Sequence, residues 1–71
     1  MLNLRPLRER AGLSQNATAR AMGVSHASYF AWEAGRSLPS ADKLPKLAAL
    51  FSCSIDELYI HDHILPREGG N

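Results

Sequence analysis

Few residues in this 71-residue chain can do chemistry, and each set points to a different kind. Cys53 is the sole thiol, so no internal disulfide and no CxxC zinc site can form. No base constellation accompanies it, which argues against a nucleophile. It reads instead as a small buried hydrophobe in a reducing cytosol. His61-Asp62-His63 offers metal-competent side chains, but three adjacent residues make a poor tetrahedral site, so no metal is expected. There is no glycine-rich phosphate loop and no plausible acid pair, so neither enzyme activity nor a cofactor is expected. What remains is charge. Residues 1–46 hold seven basic side chains (Arg5, Arg8, Arg10, Arg20, Arg36, Lys43, Lys46) against Glu9, Glu33 and Asp42, a net of +4. Residues 47–71 hold Arg67 against Asp56, Glu57, Asp62 and Glu68, a net of −3, which recovers the overall +1. A basic first part and an acidic end suggest a polarised molecule with one face suited to an anion.

These side chains have to be positioned by a small domain. Seventy-one residues suffice for one core, burying about 60% of the surface exposed when unfolded. A hydrophobic content of 45% is that of a globular chain and excludes a disordered tail. The apolar runs are too short to span a bilayer, and no basic start leads into an apolar stretch, so a cytoplasmic protein is expected. No segment alternates apolar and polar residues with β-branched types, so an all-α fold is expected.

The punctuation divides the chain into helices. Gly12, Gly23 and Gly35 each follow eight to ten good helix formers and suit the left-handed residue beyond a helix end. Asn3, Ser14 and Ser25 can cap helices of about 4–11, 15–22 and 26–34. Ser40 or Asp42 starts a fourth, reaching about Phe51, with Pro45 tolerated only near its first turn. Ser54-Ile55-Asp56-Glu57 fits the capping box of a short fifth helix. Helices two and three are joined by Gly23-Val24-Ser25 alone, the signature of a helix-turn-helix. Ala19 and Gly23 supply small residues for a close crossing. Ala17, Thr18, Ala21 and Met22 form the expected core face of helix two, and the Thr18 hydroxyl can bond back to the Ser14 carbonyl.

Helix three has two sides at 100° per residue. Tyr29, Trp32 and Glu33 share one, which the aromatics should turn inward. A buried carboxylate needs a partner, and the Arg8 fork is the best candidate for a structural pair with Glu33. His26, Ala27, Phe30 and Ala31 share the other side, the candidate contact surface. Phe30 either lines that surface or completes the core.

Leu7-Arg8-Glu9-Arg10-Ala11-Gly12-Leu13-Ser14-Gln15, Met22-Gly23-Val24-Ser25, Trp32-Glu33-Ala34-Gly35-Arg36 and Pro39 occur in this order. With Leu44-Pro45-Lys46-Leu47-Ala48-Ala49-Leu50-Phe51 and Ser54-Ile55-Asp56-Glu57-Leu58, the chain resembles the Cro/repressor (XRE) family over about residues 4–60. The resemblance implies a compact five-helix, lambda-repressor-like domain in residues 1–60, with 61–71 as a tail. It implies a transcriptional regulator that binds double-stranded operator DNA, commonly as a dimer. Carried over by position, Gln15 and Asn16 begin helix two, where Gln15 meets a phosphate. Ser25, His26, Ala27 and Ser28 begin the helix that enters the major groove. Ala31 sits one turn on, and Arg36, Ser37 and Lys43 meet the backbone. Thr18 departs from the leucine usual in the family.

This recognition face is poor in Gln, Asn and Arg, the side chains that make paired base contacts. His26 is its strongest polar reader, while Ala27, Phe30 and Ala31 suit thymine methyls. Phosphates should therefore supply most of the affinity. An alternative role keeps the fold but docks a protein partner, antitoxin-like, through Phe30 and the alanines. Leu58, Tyr59, Ile60, Ile64 and Leu65 are many apolar groups for a chain end. They suggest a two-fold homodimer contact, matched to a palindromic operator. Ile64 and Leu65 can also fold back on their own core.

Overall fold

The structure, a computed structural model, describes residues 2–59. It contains α1 (Leu4–Arg10), α2 (Gln15–Met22), α3 (His26–Ala34) and α4 (Leu44–Leu50). A 3-10 turn at Ala41–Lys43 leads into α4, and another at Asp56–Leu58 follows it. The fold is all-α, as the sequence predicts, with four α-helices where five helices are expected.

Local chemistry accounts for most boundaries. The Ser14 hydroxyl accepts the Ala17 N–H at 3.0 Å, and the Ser25 hydroxyl accepts the Ser28 N–H at 3.0 Å. Each bond satisfies one donor that a helix start leaves unpaired. Gly23 and Gly35 close α2 and α3 at φ +72° and +78°, a conformation that costs other residues a Cβ clash. Helix α4 ends differently. Ser52 takes the left-handed conformation at φ +54° and the Cys53 N–H reaches back to the Ala48 carbonyl at 2.9 Å. Pro45 lies in the first turn of α4, where its missing N–H leaves no helix bond unmade.

Three local expectations need correction. Asn3 precedes α1 but its side chain caps nothing; its backbone N–H donates instead to the Leu58 carbonyl. The Ser40 hydroxyl donates to the Asp42 carboxylate at 2.5 Å rather than capping the turn behind it. The capping box at residues 54–57 does form, with Ser54 N–H on Glu57 Oε1 at 2.9 Å and Glu57 N–H on Ser54 Oγ at 3.1 Å. The helix it should start stops after one turn, because Tyr59 is extended and forms an isolated antiparallel bridge with Leu2.

The core gathers Leu4 and Leu7 of α1, Ala19 and Met22 of α2, Tyr29 and Trp32 of α3, Leu47 and Ala48 of α4, and Leu2, Phe51 and Leu58. Thr18 is fully buried beside them, its hydroxyl donating to the Ser14 carbonyl at 2.8 Å. Ala21, expected on the core face, is exposed and Ala17 is half-buried. Ala19 is buried at the α2 crossing, but a Cβ on Gly23 would meet nothing within 4 Å. Gly23 therefore serves the turn's backbone and not a close helix approach.

Candidate nucleic-acid interface

Glu33 is the hub that fixes α3 in place. Its side chain is 5% exposed and that of Arg8 10%. Arg8 Nε donates to Glu33 Oε2 at 2.5 Å, and Nη2 reaches Oε1 at 3.5 Å. Arg8 Nη1 donates to the Leu13 carbonyl at 2.7 Å, tying α1 to the start of the next loop. The Tyr29 hydroxyl donates to Glu33 Oε2 at 2.6 Å, and Gln15 Nε2 donates to Oε1 at 3.0 Å. A carboxylate buried alone would be costly; with these donors from three helices its lone pairs are occupied.

The electrostatics follow from the same contacts. Burial by itself would raise the Glu33 carboxyl, but hydrogen bonds from Arg8, Tyr29 and Gln15 and the Arg8 charge outweigh it and hold it below the usual range. Burial, then the bond to Glu33, raises the Tyr29 phenol well above its ordinary value. The bond to Glu33 raises Arg8 further, against the opposing effect of burial. Tyr29 and Trp32 add an edge-to-face contact with ring centroids 5.8 Å apart.

With that side anchored, the other side of α3 is open. His26, Ala27 and Ser28 are exposed, as is Ser25 before them, and Phe30 is 45% exposed. Phe30 thus belongs to the surface and not to the core. Ala31 is half-buried, so it contributes less to this face than expected. Gln15 is half-buried and Asn16 exposed at the start of α2. A shallow open cleft of about 570 Å³ brings Gln15, Asn16, His26 and Phe30 together with Arg5, Arg8 and Ser14. Within it, His26 Nε2 lies 3.2 Å from Gln15 Oε1. Arg36 and Ser37 are exposed beyond α3, and Lys43 is half-buried before α4; none of the three lines the cleft.

Arg5 is absent from the sequence-derived contact set. Its i, i+3 spacing from Arg8 on α1 is the signal that places both on one side. Arg5 is exposed and also pairs with Glu9 at 3.2 Å. Leu58, expected at a dimer contact, is fully buried in its own core and cannot serve there, because one turn of 3-10 helix points it at its own domain. Tyr59 is 43% exposed. Ile60, Ile64, Leu65 and His61-Asp62-His63 lie outside the described residues. Cys53 is half-buried and burial pushes its thiol up, away from the thiolate a nucleophile requires. Among the described residues, no group of three His, Cys, Asp or Glu could hold a metal ion, and no helix is long and apolar enough to cross a membrane.

Two capped helices joined by a three-residue turn, the second anchored by aromatics and open on its other side, define a helix-turn-helix module. The chain belongs to the helix-turn-helix family of the Cro/repressor (XRE) type, whose model matches residues 4–58. This is a family of DNA-binding regulators. No curated protein matches the chain.

Proposed function

We propose that this protein is a sequence-specific transcriptional regulator that sets α3 into the major groove of operator DNA. The observation that carries this is the two-sidedness of α3. Tyr29 and Trp32 lock one side into the core, while His26, Ala27, Ser28 and Phe30 stand exposed beside the α2 start. In that pose Gln15 and Asn16 meet a phosphate, helped by the unpaired N–H groups of the α2 N-terminus. Arg5, Arg36, Ser37 and Lys43 meet the sugar–phosphate backbone. Ser25, His26, Ala27, Ser28 and Phe30, with a lesser share from Ala31, face the bases. Regulation is by occupancy of the site, with no bond made or broken, in the cytoplasm.

The binding unit is a homodimer on a palindromic operator, with half-sites about 34 Å apart. Its two-fold contact falls on exposed Tyr59, continued by Ile60, Ile64 and Leu65 of the tail. Selection from a random duplex pool at physiological salt tests this reading. An inverted repeat is expected. Failure to enrich any sequence, or binding that ignores salt, overturns it.

Exposed Phe30, a large apolar side chain at the surface of α3, favours a second reading, in which α3 docks a protein partner. Phe30→Ala separates the two. Loss of a protein partner with unchanged DNA affinity supports the second, and weakened DNA binding supports the first.

A further inference from the structure

The open side of α3 is mostly apolar. At 100° per residue, Phe30, Ala34, Ala27 and Ala31 fill a continuous arc of about 100°, with Tyr29 and Trp32 on the opposite side. Phe30 is 45% exposed, Ala27 and Ala34 are exposed, and Ala31 is half-buried. Helix α3 carries no Gln, Asn, Arg or Lys, so the side chains that make paired contacts with purine edges are missing from it. The hydroxyls at its start are turned to each other. Ser25 Oγ donates to Ser28 Oγ at 2.9 Å and accepts the Ser28 N–H at 3.0 Å. Phe30 lines the cleft together with Arg5 of α1 and Asn16 of α2. The apolar arc therefore borders an exposed cation, which suits a partner that is anionic at its edge and apolar in part. Duplex DNA is such a partner. The apolar group that it presents in the major groove is the C5-methyl of thymine. A cytosine methylated at C5 presents the same group at the same place.

We propose that Phe30, bordered by Ala27, reads the C5-methyl group of a pyrimidine, so that operator affinity responds to the methyl itself, on thymine or on methylated cytosine. The inference rests on the DNA-binding reading above and names the group that its apolar contacts select. Seating a methyl against the exposed ring takes apolar surface of both partners out of water. Removing that methyl leaves the ring facing the groove with less surface covered. One methyl buried in this way changes affinity about fourfold. Phe30 is thus a specificity-determining residue, and a site whose cytosine becomes methylated at C5 is bound more tightly than before.

The test uses the full chain. A binding site is first selected from a random duplex pool at physiological salt. Each thymine of that site is then replaced in turn by uracil, which removes the methyl and keeps every base-pairing group. At one position or more per half-site, uracil should weaken binding about fourfold in anisotropy titrations. At the same position, duplexes carrying cytosine and 5-methylcytosine are compared, and the methylated one should bind about fourfold tighter. In Phe30→Ala both ratios should fall towards one. Phe30 lies outside the core, so this variant should melt as the wild type does, and its circular dichroism melt checks that. Equal binding of thymine and uracil duplexes at every position overturns the proposal and leaves the DNA-binding reading standing, as does a methyl effect that survives in Phe30→Ala. Equal binding of the two cytosine duplexes overturns the extension to methylated cytosine. A pool with no enriched sequence overturns the DNA-binding reading and this inference with it.

Discussion

The Glu33 carboxylate is where structure and function meet in this domain. It is buried, yet each donor it takes comes from a residue with a second duty: Arg8 braces the α1–α2 loop, Tyr29 seats α3, and Gln15 reaches the open cleft. Removing one member leaves the others unpaired, which costs more than the bond itself. A double-mutant cycle with Glu33→Gln and Arg8→Met should give a coupling of about 1–3 kcal/mol in denaturant melts. A coupling below about 0.5 kcal/mol, the level of exposed pairs, would show that the pair is not structural. The pH dependence follows from the directions of the shifts. Glu33 titrates lower when folded, so its contribution is complete above about pH 4.3 and is lost as pH falls through the folded value. Tyr29 titrates higher when folded, so its contribution is complete below about pH 10 and is lost as pH rises through its folded value. Melting temperature should therefore decline on both sides of that window. Glu33→Gln should flatten the acid side, and Tyr29→Phe the alkaline side; unchanged profiles would contradict the assignment.

At the scale of elements, helix ends carry the most readable chemistry and also its clearest exception. Ser14 and Ser25 cap as their sequence positions predict, and Gly23 and Gly35 close the helices before them. Helix α4 ends on Ser52 with positive φ, and no glycine marks the place. A side chain there bears the Cβ penalty of the left-handed region. Ser52→Gly should therefore stabilise the domain by about 1 kcal/mol, read as a higher denaturant midpoint with unchanged slope. Destabilisation would mean that Ser52 makes a compensating contact. The fate of the 54–57 capping box carries a related lesson. The local signal is real, but a capping box starts a helix without setting its length, and the bridge from Tyr59 to Leu2 ends this one.

For the molecule as a whole, the fold sets two cations beside the helix-turn-helix, Arg5 exposed and paired with Glu9, Arg8 nearly buried and paired with Glu33. Arg5 and Arg8 meet the starts of α2 and α3 in one cleft, although their nearest sequence neighbour there is Ser14. Binding that releases counterions from phosphates should fall by about 0.9 in log K per phosphate for each unit of log salt. Arg5→Ala should lower that slope by about one phosphate without changing the preferred sequence, as measured by anisotropy titrations at several salt concentrations. An altered preference with an unchanged slope would mean that Arg5 reads bases instead. If the proposed homodimer forms through Tyr59, Tyr59→Ser should weaken self-association more than it lowers the melting temperature, since Tyr59 is 43% exposed and its bridge to Leu2 is made by the backbone. An unchanged sedimentation profile would move the two-fold contact elsewhere.

The sequence by itself determined the four α-helices, the Ser14 and Ser25 caps and the two sides of α3, because these depend on nearest neighbours and on a 3.6-residue period. It also carried the Arg8–Glu33 pair, since a carboxylate on an aromatic-rich inward side demands a cation. Only the tertiary structure decided that Phe30 is surface, that Leu58 is core, and that Arg5 shares a cleft with His26. It alone showed Gln15 held between Glu33 and His26. Each of these depends on how far one helix is rotated against another. No local propensity encodes that rotation; it is set by the packing of the whole core.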